Sequence, residues 1–186
     1  MLFRSHADNY LFLAGQIDTG REPVERLAAL LEPTKSLAPG MTAPDFINNG
    51  PQHHYIAMAA LRSMDRWLRS GKAPPRAPQM VVKAGSPPVL QRDANGIALG
   101  GIRSPWVDAP VTELSGLTPA SARPSLYGLS RPFDAAKLDN LYPGGRTDYL
   151  AKFSASLDRA IKDGFILPDD RAEILGLASA GFKGKP

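Results

Sequence analysis

The stretch NNGPQHHYIAMAALRSMDRWLRSG, Asn48 to Gly71, decides how the chain is read. It holds two of the three histidines, side by side, where a pattern of helical spacing begins. Pro51 suits a first helical turn, because its missing N–H would have had no partner there. Ala57, Met58, Leu61, Met64 and Leu68 predict a buried stripe, with Arg62, Asp65, Arg66 and Arg69 largely outside it. Gly71 predicts the C-terminal stop, and Pro74 and Pro75 lie just beyond.

On the N-terminal side, YLFLAG (Tyr10 to Gly15) is a short apolar run ended by glycine. It suits a strand buried on both faces, as in a parallel sheet. REPVERLAALLEP places Val24, Leu27, Ala28 and Leu31 at helical spacing, stopped by Pro33. TKSLAPGMTAPDFINNGP has no periodicity and several breakers, and is expected to be loop. A chain that opens almost directly on a core strand is expected to have had more sheet before it.

On the C-terminal side the pattern shortens. MVVK, PVLQR, GIALGGI and VTEL are brief extended pieces, with DANG (Asp93 to Gly96) predicted as a hairpin turn. Residues 115–132 are expected to form an irregular connection. Asp134 can cap a helix running to about Leu141, which YPGG then breaks. Tyr149, Leu150, Phe153, Leu157, Ala160 and Ile161 form a 3.6-residue stripe ended by Gly164, and Pro168 and Asp169 open a last helix. The expected organisation is 1–75 as the end of a sheet-and-helix core, 76–132 as a turn-rich β segment and 133–186 as a helical tail. The three are expected to form one structural unit.

The totals exclude several classes. At 186 residues with 43% hydrophobic and 22% charged, the chain can bury a core as one domain. The charge is +4 and the isoelectric point about 9.5, but the basic residues are scattered. Arg62, Arg66 and Arg69 are expected to form a solvated helix face. No Lys/Arg run with interleaved aromatics argues for nucleic-acid binding. The absence of cysteine removes disulfides, thiol catalysis and cysteine-based zinc sites. No apolar run reaches the ~20 residues of a membrane span. His6, Asp8 and Asn9 interrupt the N-terminal apolar stretch, so no signal peptide is visible and the compartment is not legible.

His53 and His54 fall in a first helical turn, where the positive end of the helix dipole disfavours imidazolium. A neutral imidazole is what a general base needs at rest. The residues alone also allow a structural role, with an imidazole bonding loop carbonyls, and that reading leads while no partner is visible. A metal site is disfavoured, because adjacent helical residues point about 100° apart, unlike the i,i+4 pair of a zincin helix. No cofactor motif is present either: ALGGIRS lacks the G-x-x-x-x-G-K pattern and reads as a turn. No serine has glycine at both positions two residues away, as a nucleophile elbow requires. Ser130 has Gly128 before it but Pro132 after it, and Ser86, Ser104 and Ser115 lack a strand–serine–helix setting. Asp65 is expected to make a surface ion pair, and Asp108 and Glu113 to lie in strand-like sequence. Asp18 follows the first strand, where acids of α/β sites often stand.

Three blocks together carry a resemblance. NNGPQHHYIAMAALRSMDRWLRSGKAPPRAPQM, DANGIALGGIRSPWVDAPVTELSG and PFDAAKLDNLYPGGRTDYLAKFSASLDRAIKDGFILPDD resemble, in order and spacing, the C-terminal part of a bacterial family of α/β-hydrolase domain-containing proteins. The resemblance implies an α+β fold: the C-terminal fragment of an α/β-hydrolase-like sheet, with short β-hairpins and a helical C-terminal tail. It implies a serine hydrolase acting on small esters or amides, with a histidine just before the helix of this pattern. Counting back from Ala59, Ala60 and Leu61 places that histidine at His54, with His53 as its neighbour. Relatives also show a histidine soon after a strand ending in Ala-Gly. LFLAGQIDTG has none, and Asp18 stands near that position.

The candidate catalytic residues are therefore His54, His53 and Asp18, and the nucleophile segment is expected to lie outside the chain. On that expectation the isolated chain is inactive. The alternative is a non-catalytic module that binds a protein partner, or itself, through apolar surface.

Overall fold

A computed structural model describes residues 24–38, 41–42, 46, 50–116 and 128–186. The predicted strand at Tyr10 to Gly15, and with it Asp18, lies outside these residues. Helix α1 spans Val24–Leu30. The next segment, expected to be loop, forms a small antiparallel pair, β1 (Ser36–Ala38) with β2 (Met41–Thr42). Helix α2 spans Gln52–Ser70. Pro51 precedes it, and Gly71 ends it in the left-handed conformation at φ 70°, its N–H donating to Trp67 O at 2.8 Å.

The central segment is built from pairs of two to four residues. β3 (Val82–Lys83) pairs antiparallel with β4 (Val89–Leu90). The DANG turn is a hairpin, with Arg92 bridged to Ala98 and Asp93 N–H donating to Ile97 O at 2.8 Å. Asp93 Oδ1 stiffens the turn by accepting from the N–H groups of Asn95 and Ile97. A short helix, α3 (Pro105–Asp108), follows. β5 (Thr112–Ser115) then pairs antiparallel with β6 (Leu129–Pro132), so the expected irregular connection ends in a strand.

The tail follows the sequence closely. Asp134 caps α4 (Ala135–Leu141), its side chain accepting from Lys137 N–H at 2.8 Å. Helix α5 (Gly145–Lys162) buries Tyr149, Phe153, Leu157 and Ala160, with Leu150 and Ile161 packed at the edge. Gly164, at φ 81°, ends it. A 3₁₀ turn at Pro168–Asp170 leads into α6 (Arg171–Gly181). α1 lies against α6 so closely that a Cβ on Gly176 would come within 2.8 Å of a Val24 methyl group.

The architecture is thus mixed α+β, with short antiparallel strand pairs and a helical C-terminal tail. One apolar core runs from Leu27 through Tyr55 and Ala109 to Phe182. Its centre is aromatic. Tyr149 stacks on Phe182 with centroids 4.6 Å apart, Phe153 meets Tyr149 at 5.5 Å, and Trp106 meets Phe153 edge-on at 5.4 Å.

Two expectations fail here. Asp108 is not in a strand but closes α3. Its carboxylate accepts from Arg103 Nε and Ser156 Oγ, each at 2.8 Å, and from Arg159 Nη2 at 3.2 Å. Burial alone would raise its pKa, but these hydrogen bonds together hold it below the ordinary value. Asp108 therefore ties α3 to α5.

The second failure is larger. α2 buries Tyr55, Ala59 and Ser63, whereas Met58, Leu61, Met64 and Leu68 of the predicted stripe are exposed, Leu61 at 59% and Leu68 at 83%. At 100° per residue, Ala57, Leu61, Met64 and Leu68 lie on the side of the helix opposite Tyr55, Ala59 and Ser63. The helix docks through one aromatic ring and two small side chains, and its most apolar side faces away from the core.

Phe153→Ala should cost about 3–5 kcal/mol, and Leu61→Ala under about 0.5 kcal/mol. Urea midpoints at unchanged slope measure both. A Leu61 cost as large as that of Phe153 would mean that the stripe is packed.

Candidate active site

The first turn of α2 gathers the polar groups. Helix N-termini present N–H groups without intrahelical partners and a positive dipole end. His54 sits in this turn, half-buried, its own N–H donating to Pro51 O at 3.0 Å. Burial lowers its pKa, the carboxylate of Glu173 pulls it back up and His53 lowers it further; the net shift is downward from 6.5. The imidazole is therefore neutral at pH 7, as a resting base must be.

Tyr55, fully buried, organises the surroundings. Its hydroxyl donates to Glu173 Oε1 at 2.5 Å. The His54 ring stands edge-on to the Tyr55 ring, centroids 5.0 Å apart and planes at 76°. On its other side Tyr55 stacks on Trp106, at 5.7 Å and 7°. One side chain thus holds the carboxylate that acts on His54 and ties the site to the core aromatics.

The structure brings His54 together with Glu173, a residue that sequence reasoning missed. Glu173 lies in the first turn of α6, where an acid complements the helix dipole and looks unexceptional. Its partner Tyr55 is 118 positions away. His53 precedes His54 in α2, so its side chain points about 100° away from that of His54.

Two of the serines weighed from sequence have side-chain partners. Ser115 Oγ accepts from Arg92 Nη2 at 2.8 Å, and Ser130 Oγ lies 3.2 Å from Thr112 Oγ1 across β5 and β6. Ser104, 1% exposed, precedes α3. Asp65 pairs with Arg69 on the surface at 2.8 Å, as expected, and Glu113 with Arg131 across β5 and β6 at 3.6 Å. Among the described residues no group of three or more His, Asp or Glu could hold a metal ion, and no helix is long and apolar enough to cross a membrane.

The architecture is mixed α+β, and His54 stands within electrostatic reach of the Glu173 carboxylate. The family model described as Alpha/beta hydrolase domain matches residues 4–176, nearly the whole chain, and the protein belongs to that family. No curated protein matches it, and no solved structure does.

His54 should titrate below 6.5 by NMR, and Glu173→Gln should lower its pKa further, because the carboxylate is what raises it. With its folded pKa below the unfolded value, His54 destabilises the fold as pH falls from 6.5 through the folded pKa and has no effect above that window. An upward shift in Glu173→Gln would show that Glu173 does not act on this imidazole.

Proposed function

We propose that the chain contributes the base of a serine-hydrolase site acting on small esters or amides, with the nucleophile supplied by a segment outside residues 1–186. His54 is the general base. Glu173, held by the Tyr55 hydroxyl, is the acid that stabilises its imidazolium once a proton is taken. Glu173 would do this through its charge, the electrostatic part of what the acid of a Ser-His-acid site supplies. The observation that carries the reading is the desolvated imidazole of His54 under the influence of a carboxylate fixed by a buried tyrosine. Family membership supports the reaction class.

Without a serine in an elbow, the covalent step is lost and with it most of the rate. The purified chain should therefore release p-nitrophenol from short p-nitrophenyl esters with no acyl-enzyme burst, at the slow rate of a free imidazole. That residual rate should fall in His54→Ala. A stoichiometric burst from the chain alone, or a residual rate untouched by the substitution, would remove this assignment.

A second reading is favoured by the outward apolar side of α2: a non-catalytic module that docks on the sheet of a hydrolase domain, or on itself. Apolar surface of this kind on a monomer is a typical interaction site. Sedimentation velocity should show concentration-dependent self-association that Leu61→Glu with Met64→Glu abolishes. A folded chain that stays monomeric at every concentration would count against it.

A further inference from the structure

The side of α2 that meets the core does more than pack. Ser63 is only 5% exposed, and it lines a cleft of about 410 Å³. The cleft lies between the second half of α2, the segment from Lys72 to Pro75, and the end of α5 with the chain leading to Pro168. Ser63 makes no side-chain hydrogen bond among the described residues. Its hydroxyl, on the cleft wall and without a partner among the described residues, leaves a donor for something that enters.

Four cations line the same cleft: Arg62, Arg66, Lys72 and Lys162. None of them pairs with a carboxylate among the described residues. The contrast with their neighbours is sharp. Arg69, Arg103, Arg159 and Arg171 each have an acidic partner within 3.2 Å. Asp163 is the one acid among the described lining residues. Positive charge is therefore in excess around a recess, where a low-dielectric wall strengthens the field. An anion relieves that repulsion, and the excess calls for at least a dianion.

Guanidinium groups present forked N–H donors that match the oxygens of a phosphoryl group, and ammonium groups add point charge. The rest of the lining is apolar, including Pro75, Ile161, Ile166 and Leu167. The volume lies within the roughly 300–1,000 Å³ of small-molecule sites, larger than a bare oxyanion needs.

We propose that this cleft binds a small phosphomonoester. Arg62, Arg66 and the Ser63 hydroxyl hold the phosphoryl oxygens, Lys72 and Lys162 neutralise the second charge, and the organic part rests on the apolar wall. The site is separate from His54, which lies eight residues and roughly 12 Å back along α2, so it stands whether or not His54 is catalytic.

Calorimetric titration of the full chain with phenyl phosphate, inorganic phosphate and phenol tests this. Phenyl phosphate should bind with a Kd below about 1 mM at low ionic strength, tighter than inorganic phosphate, while phenol should not bind. Arg62→Gln with Arg66→Gln, both on exposed positions, should weaken binding at least about tenfold, as should Ser63→Ala through loss of a hydrogen bond to a charged group. Arg69→Gln, outside the cleft, should leave the affinity unchanged. Circular dichroism checks that each variant is folded, and the surface double variant is decisive if Ser63→Ala is not. Absence of binding at about 10 mM phenyl phosphate would overturn the proposal. So would equal affinity for inorganic phosphate, or an equal loss in Arg69→Gln, since either means general attraction to surface charge.

Discussion

The ring contacts from Tyr55 to Phe182 are the constraint on which the rest depends. Tyr55 stacks on Trp106, Trp106 abuts Phe153, Phe153 meets Tyr149, and Tyr149 stacks on Phe182. These rings come from α2, α3, α5 and the chain after α6, elements that share no extensive sheet. Among the described residues the strand pairs are two to four residues long, too short to organise a domain by backbone pairing. Aromatic side chains bury large areas and have directional preferences, so a contiguous set of them can fix the angles between short elements. Asp108 reinforces the set from outside by joining α3 to α5 through Ser156 and Arg159.

That arrangement explains which parts of the fold were legible. The stripe of α5 could be read because all of its apolar residues face one core, and Asp134 and Gly164 act through local backbone chemistry that a short window contains. The apolar periodicity of α2 was real but misleading. Periodicity identifies the apolar side of a helix, not whether anything in the same chain covers it. Tyr55 outweighs the stripe because a fully buried aromatic ring with a bonded hydroxyl anchors a helix better than apolar side chains left exposed. The β1–β2 and β6 strands escaped notice because strands of two to four residues carry too little alternation to be seen.

The site divides in the same way. His54 could be found from the helix start, which already disfavours a charged imidazole. Glu173 could not, since its place is set by a hydroxyl 118 positions away. The arginines of α2 were read as a solvated face, and for Arg69, paired with Asp65, that holds. Arg62 and Arg66 are exposed as well, and the burial of Ser63 between them is a fact of packing that no spacing rule contains. Of the serine hydroxyls of β5 and β6, that of Ser130 meets Thr112 across the pair and that of Ser115 accepts from Arg92.

The chain has two tryptophans, and the ring set makes them unequal. Trp106 is clamped between Tyr55 and Phe153, whereas Trp67 stands half in solvent on α2. The protein therefore carries two built-in fluorophores in contrasting surroundings. Emission from Trp106 is coupled to the His54 turn through the tyrosine stacked on it, and that from Trp67 responds to whatever covers the far half of the helix. Light from a single chain can thus distinguish an event at the histidine from one at the other end of α2, with no label attached.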